Sequence, residues 1–148
     1  MDSKMKSVKT VAVTKVVSKP AAAMWELIRS GRDVNRIMPD VVETCRVEGT
    51  GPGARRYCGT KQGMLEETIV CVDDAARLFR YRIDKQSMMP LDGYEGSVHV
   101  TDLGARGSEV LWFATYKLLD EQADGPVREG LTGMFQMAID GMANIVAA

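Results

Sequence analysis

Two charged residues on neighbouring predicted strands, Arg56 and Glu67, have side chains that could bind or activate a small molecule. In an antiparallel hairpin, residues that lie opposite one another have a constant sum of residue numbers. We expect the turn between these strands to be centred between Gln62 and Gly63. Cys58 then lies opposite Glu67, and Arg56 is a diagonal neighbour of Glu67, about 7–8 Å away at the backbone. Glu67 could hold a ligand hydroxyl or act as a general base, and Arg56 could bind a ligand oxyanion. The alternative is an ordinary salt bridge at a cavity rim.

The same rule predicts which side chains share the concave face of the sheet. A turn at residues 49–53 places Cys45 opposite Cys58, and Val47 opposite Arg56. The next turn places Arg56 opposite Ile69. Residues two apart along a strand face the same side. The predicted concave set on these strands is Cys45, Val47, Arg56, Cys58, Glu67, Ile69 and Cys71.

Aromatic and sulfur-containing side chains on later elements could complete a cavity. Hydroxyls and an indole N–H on the predicted inner face could meet the polar groups of a ligand, although core packing is an equal alternative for Trp112. Met88 and Met89 lie in a longer predicted loop, 85–93, that could gate the mouth. The full set of candidate ligand contacts is Arg56, Glu67, Tyr81, Ile83, Met89, Tyr94, Trp112, Tyr116, Phe135, Ile139 and Met142. Arg56 and Glu67 are also the candidate catalytic residues.

Several other kinds of site are not indicated. His99 is the only histidine and falls on the predicted outer face, which excludes Ser-His and Cys-His catalysis. The three cysteines have no CxxC spacing, so they predict neither a disulfide framework nor a zinc site, and we interpret them as small buried hydrophobes. The glycine-rich run 49–53 joins strand to strand, so no helix N-terminus follows it to receive a phosphate. We expect no metal and no cofactor.

Composition limits the partners and the location. The 148 residues predict a single domain, 1–148, with a formal net charge of -1. That charge leaves no basic field for nucleic acid. No apolar run is long enough to span a bilayer. The start of the chain, 1–6, is too polar for a secretory signal peptide, so we expect a cytoplasmic protein. The sequence does not indicate an oligomeric state.

These candidate residues need a sheet and a long helix to bring them together. Alternation and β-branched residues predict a first strand at 7–17. Two short helices follow at 21–29 and 33–38, and six further strands are predicted at 41–48, 54–61, 64–72, 77–84, 94–102 and 108–118. The short connections predict an antiparallel, curved sheet. A C-terminal helix is predicted at 126–146, with an apolar stripe along one side. The glycines in this helix weaken it, so the helix needs the sheet as a surface to pack on.

Four local matches, in this order and spacing, carry a resemblance to a known superfamily. They are residues 20–25 opening the first helix, 47–49 with 53–56, 67–69 followed by 73–74, and 81–83 before Pro90 and Tyr94. The chain resembles the START/Bet v 1-like superfamily (SRPBCC, or helix-grip fold) in its polyketide cyclase/dehydrase branch. One departure is that the branch carries a tryptophan before the proline that ends the second helix, whereas Met38 precedes Pro39 here.

The resemblance implies an α+β helix-grip fold, in which a curved seven-stranded antiparallel sheet surrounds a long C-terminal helix and two short helices lie between strands one and two. It also implies a cavity between sheet and helix. In plant hormone receptors of the superfamily, the positions matching Glu67, Tyr81, Tyr94 and Phe135 face the ligand.

Three functions remain open from the sequence. The first is binding of a small, largely hydrophobic molecule with one or two polar groups, as in lipid transport. The second is a cyclase, dehydratase or isomerase of polyketide type, in which Glu67, Arg56 or a tyrosine moves protons. The third is a module with a filled core that binds a protein partner through its outer surface.

Overall fold

The computed structural model describes residues 7–147, which form a seven-stranded sheet and three α-helices. In chain order the elements are β1 (Lys9–Val17), α1 (Ala21–Ile28), α2 (Val34–Ile37), β2 (Val42–Glu48), β3 (Arg55–Thr60), β4 (Gly63–Asp73), β5 (Leu78–Lys85), β6 (Leu91–Asp102), β7 (Ser108–Leu118) and α3 (Asp124–Ile145). Short 3-10 helices at Gly104–Arg106 and Glu121–Ala123 flank β7. The predicted helix-grip architecture is confirmed.

The sheet is antiparallel throughout, and its spatial order is β1-β7-β6-β5-β4-β3-β2. Consecutive strands from β2 to β7 are neighbours because short hairpins connect them. β1 instead pairs with β7, so β1 and β2 form the two edges of the sheet, and the segment with α1 and α2 connects them. One difference from prediction is that β6 begins at Leu91 rather than Tyr94, which shortens the preceding loop to 86–90.

The long helix α3 lies against the inner side of the sheet and also packs on α2. Its buried stripe is Val127, Leu131, Phe135, Ala138, Ile139 and Met142. Gly141 permits a close approach, since a Cβ at this position would overlap the backbone carbonyl of Ile37 on α2. Charged contacts tie the exposed side of α3 to β1, for example Lys15 Nζ to Asp140 Oδ1 at 2.5 Å. The helix therefore closes one side of the space inside the curved sheet.

The predicted hairpin register is right between β2 and β3 and wrong between β3 and β4. Cys45 lies opposite Cys58, as predicted. Glu67, however, lies opposite Arg56, whereas Cys58 pairs with Leu65. The turn is centred one residue earlier than expected, and this moves every partner by two positions. Because side chains alternate with a period of two, the faces are unchanged and Glu67 becomes a direct neighbour of Arg56.

A second correction concerns Cys71, which was predicted on the concave face. The pairing of β4 with β5 shifts between Ile69 and Cys71, so that Ile69 lies opposite Tyr81 but Cys71 lies opposite the exposed Arg80. An extra residue in one strand of a pair, a β-bulge, turns the following side chains to the other face. Cys71 therefore sits on the outer side of the sheet, and Val72 takes its place opposite the buried Phe79.

Candidate functional site

A cavity lies between the concave face of the sheet, the two short helices and α3. Its wall contains residues from α1, α2, β2 to β7, the 86–90 loop and α3, and most of them are apolar. The lining residues are Ile28, Val34, Met38, Val41, Val42, Arg56, Cys58, Leu65, Glu67, Phe79, Tyr81, Ile83, Gln86, Met88, Met89, Leu91, Tyr94, Val98, Trp112, Leu131 and Met134. The volume of this cavity is about 80 Å³.

The polar centre of this wall is a buried ion pair. Arg56 Nε donates to Glu67 Oε1 at 2.6 Å, and the two residues are only 3% and 4% exposed. Arg56 Nη1 donates to the carbonyl of Gly31 at 3.2 Å. The guanidinium carbon also lies 5.0 Å from the ring centre of Tyr81 and 5.7 Å from that of Phe79. These contacts fix the arginine in one orientation.

Gly31, which follows α1, makes this arrangement possible. Its φ of +72° is a left-handed conformation that glycine adopts without strain. A Cβ at this position would also lie 2.9 Å from the Ile69 side chain and 3.5 Å from Arg56 Nη1. This backbone turn brings the Gly31 carbonyl onto the Arg56 guanidinium.

The ion pair leaves one polar atom of each residue without a hydrogen-bond partner in residues 7–147. Within residues 7–147, hydrogen bonds engage Nε and Nη1 of Arg56 and Oε1 of Glu67. Arg56 Nη2 and Glu67 Oε2 have no hydrogen-bond partner in that part of the chain. Neither atom is among the unpaired side-chain atoms that are completely shielded from water there. Because both residues line the cavity, the wall presents a carboxylate acceptor beside a guanidinium donor.

A chain of three aromatic groups provides a third polar contact. Trp112 Nε1 donates to the Tyr81 hydroxyl at 3.1 Å, and the hydroxyls of Tyr81 and Tyr94 are 2.8 Å apart. The three groups have three donor hydrogens but share only two hydrogen bonds. One hydroxyl hydrogen is therefore left over, and both tyrosines line the cavity. Gly96 gives the Tyr81 ring its room, since a Cβ there would overlap the ring.

Burial raises the pKa values of both phenols, which an ordinary tyrosine pKa would already leave neutral at pH 7. Burial and then the negative charge of Glu67 raise the pKa of Tyr81 to about 12. Burial, followed by the influence of Tyr81, raises the pKa of Tyr94 well above its ordinary value. Burial alone would lower the pKa of the Arg56 guanidinium, but the adjacent Glu67 charge outweighs it and raises that pKa. The site thus combines a charged arginine with hydroxyls that act as donors and acceptors at neutral pH.

Another part of the cavity wall is formed by three methionines and by a loop that one side chain holds in place. The amide of Gln86 donates to the carbonyls of Met89 and Leu91 at 2.9 and 3.2 Å. Its Oε1 accepts from the backbone N–H groups of Met88 and Met89 at 2.8 and 2.9 Å. Gln86 therefore sets the shape of the loop, while the Met88, Met89 and Met134 side chains provide a flexible apolar wall.

The structure brings together seven of the eleven predicted contact residues around the cavity. These are Arg56, Glu67, Tyr81, Ile83, Met89, Tyr94 and Trp112. The other four, Tyr116, Phe135, Ile139 and Met142, are buried but lie outside the cavity wall. The ring of Phe135 stacks on that of Trp112, with ring centres 5.8 Å apart. Phe135 lies on α3, which packs against β1 and α2. These four residues belong to the packed core, and we assign no ligand contact to them.

Sequence reasoning missed several wall residues. Gln86 lies in a loop, where no periodicity marks an inward side chain. Val34 lies on the short helix α2, and Met38 directly follows that helix. Leu65 was not part of the predicted concave set, although it has the same parity as Glu67. That parity was the available signal for Leu65. For Gln86, no signal existed in the sequence.

Two other classes of feature are absent from the part of the chain that is described. Residues 7–147 contain no group of three or more His, Cys, Asp or Glu side chains placed to hold a metal ion. None of the helices in this range is long and apolar enough to cross a membrane.

The sequence and the fold both match known proteins. Residues 9–147 match the sequence profile of a family described as polyketide cyclase / dehydrase and lipid transport. No curated protein sequence matches the chain. Many solved structures share the fold. One is major latex-like protein 151 from Panax ginseng, with a TM-score of 0.81, 17% identity, and coverage of 95% of this chain and 99% of that one.

Two further structures come from Thalictrum flavum and Thermobifida fusca. Norcoclaurine synthase from Thalictrum flavum, solved with dopamine and hydroxybenzaldehyde, has a TM-score of 0.76 at 16% identity and covers 95% of this chain and 87% of that one. A protein from Thermobifida fusca has a TM-score of 0.77 at 25% identity, with 90% of each chain covered. These likenesses establish the fold, and one fold can host unrelated functions.

Proposed function

The chain belongs to the polyketide cyclase / dehydrase and lipid transport family, and on that premise we propose that it binds a small, largely hydrophobic molecule in the cavity between sheet and α3. The observation that carries the proposal is the arrangement of free polar atoms in an otherwise apolar wall. Glu67 Oε2, Arg56 Nη2 and one hydroxyl hydrogen of the Tyr81–Tyr94 pair have no partner within residues 7–147. Apolar pockets with a few convergent polar groups are typical ligand sites.

These atoms define the polar end of the ligand. A ligand hydroxyl could donate to Glu67 Oε2, and a ligand carbonyl could accept from Arg56 Nη2 or from the free tyrosine hydrogen. The rest of the ligand would contact aliphatic, aromatic and methionine side chains. We therefore propose a molecule with an apolar body and one or two oxygen functions at one end.

Cavity size limits the ligand and requires movement of the wall. The space of about 80 Å³ is smaller than the cavity of about 150 Å³ that admits benzene in an engineered protein. A ring-sized ligand would therefore need the Met88, Met89 and Met134 side chains to change rotamer, which unbranched thioether side chains do readily. The 86–90 loop supplies three of the lining residues, Gln86, Met88 and Met89, and has no strand partner of its own. We propose that it acts as the entrance.

A thermal-shift panel tests the binding proposal. The probes are 4-hydroxybenzaldehyde, benzoylacetone and octanoic acid, which combine an oxygen function with a ring, a ring plus dicarbonyl, or a chain. A probe present at a hundred times its Kd stabilises the folded state by about 2.7 kcal/mol. We expect a rise in Tm that Glu67→Gln reduces and the matched outer-face variant Glu66→Gln leaves intact. No rise with any probe, or an equal loss in both variants, would refute the site.

A second candidate function, proton transfer in a polyketide-type cyclisation, dehydration or isomerisation, is favoured by one observation. Glu67 has a free carboxylate oxygen beside Arg56, so a base and a donor for an enolate oxygen lie next to each other. In this case Glu67 would remove a proton from the carbon next to a carbonyl, and Arg56 or a tyrosine hydroxyl would hydrogen-bond the oxygen on which negative charge develops.

Deuterium exchange separates the two functions. Benzoylacetone would be incubated with the protein in D2O, and loss of its carbon-bound protons would be followed by NMR above the buffer rate. A base mechanism predicts exchange that Glu67→Gln abolishes while much of the affinity remains. Binding without accelerated exchange supports the first function alone. The cytoplasmic location stays a prediction from the sequence.

A further inference from the structure

Two cysteines face each other on the edge hairpin of the sheet, and the proposed ligand function gives their thiols no chemical role, although Cys58 is part of the cavity wall. Cys45 on β2 and Cys58 on β3 are direct partners in the antiparallel register. Their sulfur atoms are 3.5 Å apart, and both thiols are free. Directly opposed residues in antiparallel strands have Cα atoms about 4.5–5.5 Å apart, which lies inside the range that a disulfide spans.

Because β2 is an edge strand, the two sulfur atoms can move from 3.5 Å to bonding distance. Forming a bond of about 2.0 Å requires the two sulfur atoms to move together by roughly 1.5 Å. β2 is the last strand of the sheet and pairs only with β3, so it can adjust without distorting a second strand pair. Neither cysteine lies in a helix, where such a shift would break backbone hydrogen bonds along a turn.

The surroundings give the two thiols different roles. Cys45 is half-buried, whereas Cys58 is fully buried. The Cys58 thiol donates to Cys45 Sγ at 3.5 Å, and its alternative acceptor is Glu67 Oε1 at 3.7 Å. Cys45 in turn contacts the Gly31 carbonyl at 3.7 Å. Cys45 is therefore the sulfur that a reagent from solution reaches first, and Cys58 lies behind it.

Electrostatics agree with that assignment. The hydrogen bond from Cys58 lowers the pKa of Cys45 to about 7, assisted by the positive charge of Arg56 against the opposing effect of burial. The hydrogen bond with Cys45, followed by burial and the charge of Glu67, raises the pKa of Cys58 above its ordinary value. A thiolate is the attacking species in disulfide exchange.

We propose that Cys45 and Cys58 form a redox-active dithiol, which closes to a disulfide by exchange with a low-molecular-weight disulfide such as glutathione disulfide. The Cys45 thiolate attacks one sulfur of the oxidant, so a bond forms between Cys45 and one glutathione, the S–S bond of the oxidant breaks, and the other glutathione leaves as a thiolate. Cys58 loses its proton to the Glu67 carboxylate or to water and attacks Cys45 Sγ, which expels the second glutathione. Two protein thiols are oxidised and one disulfide is reduced to two thiols.

Peptide mapping of the native protein tests this directly. Trypsin cleavage after Arg36, Arg46, Arg56, Lys61 and Arg77 puts the three cysteines on separate peptides, 37–46, 57–61 and 62–77. After incubation with glutathione disulfide and blocking with N-ethylmaleimide, we expect peptides 37–46 and 57–61 to be joined, with loss of two hydrogens. Peptide 62–77, which carries the outer-face Cys71, should not be joined to either and serves as an internal control.

Two variants separate the steps. In Cys58→Ala the reaction should stop at a glutathione adduct on Cys45, and in Cys45→Ser peptide 57–61 should stay unmodified. The rate of alkylation of Cys45 by iodoacetamide should fall about tenfold per pH unit below pH 7. The proposal is overturned if the adduct on Cys45 persists in the wild-type chain, if joined peptides form only in denaturant, or if the linkage involves Cys71.

Discussion

Arg55 and Arg56 are neighbours on β3, and Glu66 and Glu67 are neighbours on β4, yet the two arginine–glutamate pairs have different surroundings. The outer pair, Arg55 with Glu66, has its closest N and O atoms 4.0 Å apart, and the side chains are 43% and 35% exposed. The inner pair, Arg56 with Glu67, is 2.6 Å apart and almost fully buried. The same two residue types, shifted by one position, thus serve a solvated surface in one case and a cavity wall in the other.

The difference shows what burial does to an ion pair. An exposed pair contributes about 0–1 kcal/mol because water competes for both charges. A buried pair adds little stability relative to a well-packed apolar pair, since the cost of desolvation offsets the attraction. Removing one partner, however, leaves the other charge buried without a partner. An inner pair is therefore poorly explained by stability alone. Under the proposed function, its free Oε2 and Nη2 atoms supply the other reason, which is contact with a ligand.

The largest expected effect comes from stranding the inner charge. Arg56→Met should destabilise the fold by about 3–5 kcal/mol, because Glu67 would remain buried without its partner. Arg55→Met, the matched outer variant, should stay within about 0.5 kcal/mol. Urea unfolding followed by tryptophan fluorescence measures both. Equal losses in the two variants would contradict the comparison.

A double variant sharpens the same point. Arg56→Met combined with Glu67→Leu removes both buried charges, so it should recover most of the stability that Arg56→Met loses. The same double variant should no longer respond to any probe of the thermal-shift panel. If probe binding survives without either charge, the inner pair has a structural role only.

Alkaline pH should lower the free energy of unfolding through Tyr81 on the inner face of the sheet. The pKa of Tyr81 is raised to about 12, above its unfolded value near 10, so its contribution is complete below pH 10 and is lost as pH rises towards 12. For Tyr81 alone the loss is about 2–3 kcal/mol. Unfolding measured between pH 9 and 12 should be less steep in Tyr81→Phe than in the wild-type chain. Identical pH profiles would show that the Tyr81 hydroxyl is in contact with solvent.

The two tyrosines of the aromatic chain should respond unequally. Tyr81→Phe removes the acceptor for the buried Trp112 N–H and should cost about 1–3 kcal/mol. Tyr94→Phe leaves that bond in place and should cost about 1 kcal/mol or less. Chemical unfolding measures the stability difference. A larger loss in Tyr94→Phe would contradict the order of the chain that runs from Trp112 through Tyr81 to Tyr94.

A similarly small effect on stability is expected in the 86–90 loop. Gln86→Ala removes the side chain that holds the loop in its shape, which should cost about 1 kcal/mol in the free energy of unfolding. Its clearer result should be faster association and dissociation of a bound probe, measured by stopped-flow fluorescence. Gln62→Ala, in the exposed β3–β4 turn, is the control and should change neither quantity.

The faces of β3 and β4 could be predicted, although the register between them was wrong. A turn displaced by one residue moves partners by two positions, so Arg56 and Glu67 stayed on the inner side. The bulge after Ile69 could not be predicted, since nothing in the residue types of 69–71 marks it, and it misplaced Cys71.

The helix contacts were harder to predict. Spacing along α3 identifies its buried stripe, but it cannot say which buried residues meet the cavity and which meet β1 or α2. Ile139 and Met142 were therefore predicted as ligand contacts and lie in the packed core, whereas Leu131 and Met134 line the cavity. Gln86 acts through a loop conformation, for which the sequence carries no periodic signal.

NMR of the protein labelled with ¹³C in its methionine methyl groups tests the central claim most directly. Met38, Met88, Met89 and Met134 line the cavity, whereas Met64 and Met137 are exposed. On titration with 4-hydroxybenzaldehyde, benzoylacetone or octanoic acid, at least one probe should shift the four cavity signals and leave the two exposed ones unchanged. If every probe leaves the cavity signals in place, or shifts only Met64 and Met137, the cavity is not a ligand site.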